Sequence, residues 1–372
     1  MNRFSLHAAA RRCALLAWLC AAATAAHGQP AGALGDDFIH RIRQDDTLSA
    51  LAGGYTGDAT QWARLQKLNG IADPRRLPIG SELRIPLAMI PEGPAPARAS
   101  HVSGGAQVDG RPLAAGAEVP EGGVITTAAN GFATLLFADG SRTTVLPGSS
   151  VVLERVRRFL TVPLADAILR VERGAVESDV APGGGGVGRF EIRAPVAVTG
   201  VRGTRFRVRA EEGVQSEVVE GSVRLQPHAP GAAPPAQPVA VDRGYGASVA
   251  ADGALLGVNA LLPAPELGEP RREGGGWTVP FAPVPGAAAY VVRVSRDERA
   301  MELVSSSRQD GPALRFSAPA GPHYVTVRAV DAAGLAGYDS VPRPFTGAVG
   351  LQSGYGLTVL TGWGDPVSLT PF

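Results

Sequence analysis

The chain has 372 residues, enough for two or three domains, and 48 glycines and 31 prolines interrupt it too often for one large enzyme built on long helices. Short strands joined by turns are expected instead. The 35 basic and 34 acidic residues nearly cancel. Only Lys67 is a lysine, so arginine is frequent everywhere and its local density does not by itself identify a binding site.

Residues 1–28 have the layout of a secretory signal peptide. A basic start, MNRFSLHAAARR, precedes the apolar run CALLAWLCAAATAA, and small residues follow. The run is too short to span a membrane and remain there, and cleavage is expected after Ala25 or Gly28. The Arg11–Arg12 pair suggests twin-arginine export, and Cys20 suggests lipoprotein processing. The residues around each fit the corresponding pattern poorly. Ordinary export to the periplasm is favoured.

Removal of this segment changes what chemistry is available. Its three arginines leave with it, so 32 basic and 34 acidic residues remain, and Cys13 and Cys20 leave as well. The mature chain then has no thiol for a nucleophile, a disulfide or a zinc site. No later stretch reaches the roughly 18 apolar residues of a transmembrane helix, so no transmembrane span is expected.

Runs rich in proline and alanine predict the joints between domains. IPEGPAPARAS predicts a linker over residues 88–100, and PHAPGAAPPAQP predicts a loop over residues 227–238. A third run begins at Pro263 and ends at Gly276. The chain is thereby divided into domains at 36–87, 101–253 and 263–347.

Residues 36–87 predict the order strand, helix, helix, strand. Apolar residues recur at helical spacing in two stretches: Leu48, Leu51, Ala52 and Tyr55, then Trp62, Leu65 and Leu68. Asp46 or Thr47 can cap the first helix, and the pair Asp58 and Gln61 forms a capping box for the second.

The stretches QDDTLSALA, LNGI and LPIGSELRIP resemble the LysM module, a peptidoglycan- and chitin-binding fold. One departure is Gln44, where the family usually has glycine. The resemblance implies a shallow groove for N-acetylglucosamine between two loops, formed by Asp46, Thr47 and Leu48 on one side and by Asn69, Gly70 and Ile71 on the other. The alternative is structural: Thr47 and Asn69 would only begin and end helices, and Leu48 would belong to the core.

Residues 101–253 alternate in short apolar and polar runs, which is typical of an all-β domain. Turns are predicted at the pairs Asp139–Gly140, Arg173–Gly174 and Glu220–Gly221.

Within this domain, AVTGVRGTRFRVR places arginines on one face of a strand. The register that buries the apolar residues of this strand and the next is predicted to give four pairs: Phe206–Ser216, Val208–Val214, Arg205–Glu217 and Arg207–Gln215. No aromatic residue lies among the arginines, so bases would have no stacking surface. A solvated face is therefore predicted, and no nucleic acid is expected as a partner.

The stretches GFATLLFADGSRTTV, LRVERGAV, FEIRAPVAVTGVRGTRFRV and VVEGSVRL resemble the FecR domain of bacterial iron-uptake regulators. Members of that family cross the inner membrane and hold a sigma factor with a cytoplasmic segment. This sequence shows neither the span nor that segment, so the resemblance implies an extracytoplasmic β domain for protein interaction or scaffolding. It assigns no ligand.

Residues 263–347 are similar to fibronectin type III and related immunoglobulin-like sandwich domains. PVPGAAAYVVRV and GPHYVTVRAVDAAGLAG supply the strands, with Tyr290 and Tyr324 as expected packing residues. The tail, 348–372, has no assigned structure. The overall expectation is a multidomain, mainly β protein: a βααβ module, an all-β domain and a sandwich.

Catalytic signatures are missing from the sequence. His40, His101, His228 and His323 are scattered and are expected on the surface or in linkers, so they form no zinc motif. Neither GxSxG nor SxxK occurs. A paired-carboxylate glycosidase is not excluded by residue counts, but the three domains leave no room for a catalytic domain. No cofactor is expected.

The sequence therefore predicts a non-catalytic envelope protein. Its LysM module would hold it to peptidoglycan in the periplasm, and its β domains would contact another envelope protein. Two alternatives remain: a FecR-like sensor that signals through a membrane partner, and a cell-wall hydrolase.

Overall fold

The computed structural model describes residues 32–181, 188–234, 237–273 and 276–347. The predicted signal peptide, residues 1–28, and the tail, residues 348–372, lie outside the described residues. The described chain is mainly β, with a small helix-containing module followed by β domains.

The N-terminal module confirms the predicted strand, helix, helix, strand order. Its elements are β1 (Gly32–Leu34), β2 (Asp37–Arg41), α1 (Leu48–Thr56), a 3₁₀ turn (Ala59–Gln61), α2 (Trp62–Leu68), β3 (Glu82–Pro86) and a second 3₁₀ turn (Leu87–Met89). The strands form an antiparallel sheet in the order β1-β2-β3. Leu48, Leu51 and Leu65 pack on this sheet in the core, as their helical spacing predicts.

A second domain contains sixteen strands in one continuous sheet. They are β4 (Glu92–Pro94), β5 (Ala97–Ser103), β6 (Ala106–Val108), β7 (Arg111–Pro112), β8 (Glu118–Val119), β9 (Val124–Thr127), β10 (Phe132–Leu136), β11 (Arg142–Val145), β12 (Ser150–Phe159), β13 (Ala165–Asp179), β14 (Arg189–Ala194), β15 (Ala197–Ala210), β16 (Gly213–Pro227), β17 (Val239–Asp242), β18 (Tyr245–Ala250) and β19 (Leu255–Ala260). Their buried side chains share one hydrophobic core. We call this unit the β domain.

The predicted linker at 88–100 is wrong, because this segment belongs to the β domain. β4 pairs with β12, and β5 pairs with β10 and β8. Ala97 and Ala99 are fully buried. Alternation of small apolar residues with polar ones makes a strand here in spite of the prolines. With β19 at the other end, the β domain extends beyond the predicted limits of 101 and 253.

Two of the three predicted turns are bends inside long strands. Asp139–Gly140 does turn the chain between β10 and β11, but Gly174 lies within β13 and Gly221 within β16. Both glycines have a positive φ, +83° and +76°. A Cβ on Gly174 would lie 2.3 Å from the Ser149 hydroxyl. The glycines therefore mark bulges that bend strands around the core, not chain reversals.

The predicted register between β15 and β16 is wrong by two residues. The structure pairs Phe206 with Val218, Val208 with Ser216, Arg207 with Glu217 and Arg209 with Gln215. Irregular pairing between Arg202 and Phe206 shifts the register. Because the shift is even, Phe206 and Val208 still point into the core.

The third domain is a two-sheet sandwich, as expected. Its strands are β20 (Arg271–Glu273), β21 (Gly276–Thr278), β22 (Ala289–Ser295), β23 (Leu303–Gln309), β24 (Arg315–Phe316), β25 (Gly321–Val330), β26 (Ala336–Asp339) and β27 (Arg343–Gly347). One sheet has the order β20-β21-β24, and the other β23-β22-β25-β26 with β27 also on β25. Tyr290 is in the core and its hydroxyl accepts a hydrogen bond from Val284 N at 2.9 Å. Tyr324 is only half-buried, on the opposite face of its sheet.

The LysM-like module packs directly on the β domain through apolar side chains. Phe159, Val162 and Leu164, from the turn between β12 and β13, complete the hydrophobic core of the module. Thr161 Oγ1 donates a hydrogen bond to Tyr55 O at 2.5 Å. We call this contact the apolar joint.

Candidate functional site

The two loops of the predicted glycan groove leave the module's sheet at the same end. Arg41, the last residue of β2, pairs with Glu82, the first of β3. Beyond this pair, Ile42 N donates to Ser81 O at 2.9 Å and Gly80 N donates to Ile42 O at 2.8 Å. The β2–α1 loop and the α2–β3 loop are thus held side by side.

Asp46 fixes the first loop. Its Oδ2 accepts hydrogen bonds from His40 Nε2 at 2.8 Å and from Arg43 N at 2.7 Å. Partial burial opposes ionisation, but these hydrogen bonds outweigh it and lower the pKa of Asp46. Asp45, just before it, has a φ of +68°. The left-handed residue of this tight turn is therefore Asp45 and not Gln44.

His40 is buried, so the prediction of a surface histidine is wrong for this residue. Ionised Asp46 can only accept, so Nε2 of His40 donates to it, and Nδ1 of the same ring shares a hydrogen bond of 2.9 Å with the Tyr55 hydroxyl. Burial raises the pKa of Tyr55 to about 12, so this hydroxyl keeps its proton. His323 in the sandwich is also buried, against Phe345.

Thr47 and Leu48 divide their roles between surface and core. Thr47 is exposed and its Oγ1 accepts from Ala50 N at 3.1 Å, which caps α1. Leu48 is 2% exposed and belongs to the core, so only its backbone lies near the surface. The Leu48 side chain therefore has the structural role of a core residue. The Thr47 hydroxyl caps the helix and is also exposed to solvent.

Asn69 holds the second loop against β3. Its side chain donates to Leu65 O at 2.8 Å and to Arg84 O at 2.9 Å, and it accepts from Arg84 N at 2.7 Å. Gly70 is exposed with a φ of +61°. Ile71 is half-buried against the core. The loop therefore offers backbone groups and part of one apolar side chain to solvent.

Ile79 is an apolar residue of this loop that sequence reasoning missed. It is 71% exposed, and its neighbour Gly80 is bonded to Ile42 at the start of the first loop. The only signal in the sequence is a large aliphatic residue between Pro78 and Gly80. These two residues predict a turn, so the aliphatic side chain does not belong to the buried face of a helix or strand.

Arg207 contradicts the predicted solvated arginine face. It is 7% exposed, and its Nη1 donates to Ala336 O at 3.0 Å and to Gly337 O at 2.9 Å, both in the sandwich. The outer face of the sandwich's larger sheet covers β15 at this point. The arginine face is therefore an interdomain contact, which we call the charged joint.

Carboxylates from both domains pair with the arginines of the charged joint. Glu177 of β13 accepts from Arg328 Nη1 at 2.7 Å and lies 2.9 Å from Arg293 Nη2. Asp339 of β26 accepts from Arg328 Nε at 2.8 Å and from Arg207 Nη2 at 3.2 Å. Glu177 thus contacts two arginines and Asp339 three, and three of these five ion pairs join the two domains.

Burial and charge act in opposite directions on these groups. Burial alone would raise the pKa of Glu177, but Arg293 and Arg328 lower it to about 2. The same arginines and Arg207 hold the pKa of Asp339 well below its usual range, against its burial. Both side chains therefore remain ionised within the joint at neutral pH.

A wide cleft of about 880 Å³ lies between the β1–β2 turn and strands β13 and β14. Its arginines are each paired: Arg170 with Glu154 and Glu172, Arg189 with Asp166 and Asp36, and Arg193 with Glu191 and Glu154. The cleft therefore carries balanced charge.

Within residues 32–181, 188–234, 237–273 and 276–347, no helix is long and apolar enough to cross a membrane. Over those same ranges, no three His, Cys, Asp or Glu side chains are grouped so that they could hold a metal ion.

Residues 40–86 match the LysM domain family, and residues 123–224 match the FecR protein family. No curated protein matches the chain. Two crystal structures of a protein described as an anti-sigma factor from Parabacteroides distasonis ATCC 8503, at 1.65 and 2.50 Å resolution, are similar with 18% sequence identity and a TM-score of 0.29. That similarity covers 37% of this chain and 59% of the other, less than two thirds of its length. The chain therefore contains a LysM domain and a FecR domain.

Proposed function

We propose that the protein binds peptidoglycan through its LysM domain and that its β domain and sandwich present surfaces to another envelope protein. The LysM match carries the first half of this proposal. We propose further that the protein is exported to the periplasm by its signal peptide, acts on no substrate and needs no cofactor.

The groups that the two loops expose support the proposal of peptidoglycan binding. Thr47 and the backbone around Leu48 and Gly70 supply polar groups for the hydroxyl and acetamido groups of N-acetylglucosamine. Asp46 and Asn69 act by fixing the loops, because their side chains already bond to the protein. Ile71 and the exposed Ile79 supply apolar contact for the acetyl methyl group and the sugar ring.

The test is co-sedimentation of the mature protein with purified sacculi. Deletion of the whole LysM domain would expose Phe159 and Leu164 of the β domain, so a point variant is a cleaner comparison. Ile79→Asp should weaken binding at least about tenfold, because it places a charge where apolar contact is needed. Leu256→Asp, at a residue 70% exposed on β19, is the matched control and should pellet like the wild type.

Two results would reject the glycan half. One is wild-type protein that stays in the supernatant at protein and sacculus concentrations where a LysM control pellets. The other is equal pelleting of wild type and Ile79→Asp.

The protein-interaction half is supported by the last strand of the large sheet. β19 pairs with β18 along one edge, and Leu255, Leu256 and Val258 on it are exposed. An exposed strand edge with apolar side chains is suited to pairing with a strand of another protein. Photo-crosslinking from position 256 in intact cells should yield one dominant adduct, whereas position 160, an exposed leucine on another surface, should not.

The FecR match also favours a second candidate, a signalling component that acts through a membrane partner. The same crosslinking distinguishes the two, since an integral membrane protein in the adduct would support signalling. A clearing zone in a sacculus gel would instead support the hydrolase alternative and overturn the non-catalytic assignment.

A further inference from the structure

A second cleft lies at the charged joint, between the β domain and the sandwich. It has a volume of about 190 Å³. Arg209 of β15, Arg293 of β22 and Arg308 of β23 are among its lining residues, and Arg308 is exposed. The cleft is thus built from two domains that are far apart in sequence.

Buried donors in this cleft lack acceptors. Arg293 is 2% exposed, yet among the described residues its Nε and Nη1 have no hydrogen-bond acceptor, and neither does Arg209 Nε. Asp339 Oδ1 lies 3.6 Å from Arg293 Nη1, which is too long for a hydrogen bond. Unsatisfied donors on a buried guanidinium are costly, so a native protein usually supplies them with an acceptor.

The charge of the cleft is positive. Five arginines line it, including Arg207 and Arg328, against three carboxylates, Glu177, Glu211 and Glu217. Asp339, which contacts three of these arginines, brings the nearby carboxylates to four. Burial raises the pKa of Glu217. Burial and the neighbouring Arg328 lower the pKa of Arg293 to about 10, as expected for a cation whose partners do not fully compensate it.

We propose that this cleft is a binding site for a small oxyanion of the phosphate class. The anion would accept from Arg293 Nε and Nη1 and from Arg209 Nε, with Arg308 closing the mouth. Tetrahedral oxyanions suit such a site because several arginines can donate to separate oxygens with charge-assisted hydrogen bonds.

This site would connect ligand binding to domain docking. Arg209 belongs to the β domain and the other two arginines to the sandwich, so the complete set of donors exists only when the domains are docked. A ligand bound there stabilises the docked arrangement by mass action.

The test is equilibrium dialysis of the mature full-length protein against radiolabelled inorganic phosphate, with sodium chloride holding the ionic strength constant. We expect saturable binding of one phosphate per chain. Arg308→Gln should weaken it about tenfold, because a charge-assisted hydrogen bond is lost, and Arg209→Gln should weaken it at least as much. Arg315→Gln, at an exposed arginine on the smaller sheet of the sandwich, should bind like the wild type.

Arg308 is exposed, so its variant is expected to fold, and circular dichroism checks this before dialysis. Absence of saturable phosphate binding would overturn the proposal. Equal affinities for wild type, Arg308→Gln and Arg209→Gln would overturn it too, because phosphate would then bind elsewhere.

Discussion

The β domain holds its two neighbours mainly by different means. At the apolar joint it contributes Phe159, Val162 and Leu164 to the LysM core. At the charged joint it contributes Glu177 and Arg207 to a network with Arg293, Arg328 and Asp339 of the sandwich. The first interface is mainly hydrocarbon. The second encloses three buried arginines and two partly buried carboxylates, beside a smaller apolar cluster that includes Phe132 of the β domain and Leu303 of the sandwich.

These two solutions differ in what they stabilise. Apolar burial contributes free energy in proportion to area and has little directionality. A buried ion network gives little net stability, because desolvation offsets most of the attraction. Removal of one partner is nevertheless costly, because it leaves another buried charge without compensation. The charged joint therefore restricts how the sandwich can sit on the β domain, whereas the apolar joint mainly attaches the LysM domain.

The largest effect is expected from Arg328→Met at the charged joint. Arg328 contacts both Glu177 and Asp339, so its loss leaves two partly buried carboxylates undercompensated. We expect the free energy of unfolding to fall by about 3–5 kcal/mol, as measured by urea denaturation. Arg315→Met, at an exposed arginine of the same domain, should change it by less than about 0.5 kcal/mol. An equal, small loss in both variants would mean that the network is not a coupled unit.

A smaller loss is expected from Leu164→Ala at the apolar joint. Leu164 is buried, so the variant leaves a cavity and should lose about 2–4 kcal/mol. Leu160→Ala lies four residues away in the same turn, at a side chain 58% exposed, and should lose less than about 0.5 kcal/mol. If the LysM domain attached only through a flexible tether, the two variants would unfold alike.

Acid should weaken the charged joint. The pKa of Glu177 in the folded protein is about 2, below its ordinary value of 4.5. A carboxylate with a lowered pKa contributes stability above the ordinary value and loses it as the pH falls towards the folded value. The melting temperature should therefore fall between about pH 4.5 and pH 2.5 in the wild type.

Glu177→Gln tests the assignment of this acid response. The variant should be less stable at pH 7 because two buried arginines lose one of their two carboxylate partners, but its melting temperature should depend less on pH below 4.5. Glu302→Gln, at an exposed carboxylate of the sandwich, should follow the wild-type profile. Parallel profiles for Glu177→Gln and the wild type would contradict the role given to Glu177.

The LysM domain was predictable from sequence because its signals are local. Leu48, Leu51 and Leu65 repeat with the period of a helix, and Thr47 caps α1 within a few residues of its partner. The loops of the candidate site could be placed for the same reason. Ile79 could not, because the sequence does not show whether an isolated aliphatic residue in a loop points inwards or outwards.

The charged joint was not predictable from the same patterns. Alternation along β15 correctly separated Phe206 and Val208 from Arg207, but it only shows that two faces differ. Whether the arginine face meets water or another domain depends on Asp339, 132 residues further on. The predicted pairing of β15 with β16 was wrong because the bulge near Arg205 adds residues to the pairing. A shift by an even number of residues keeps the same side chains on the same face, so the alternation pattern cannot detect it.

The smallest effect is expected from replacing Thr161, the polar residue in the turn between β12 and β13 at the apolar joint. In Thr161→Val the methyl contacts are kept, while the hydrogen bond from Thr161 Oγ1 to Tyr55 O is lost. Thr161 is exposed, so water can replace the hydroxyl, and the loss should be about 0.5–1 kcal/mol by urea denaturation. Thr346→Val, at an exposed threonine on β27, supplies the baseline for the change in side chain alone. A loss as large as that of Leu164→Ala would show that hydrogen bonding, and not hydrocarbon burial, holds the LysM domain on the β domain.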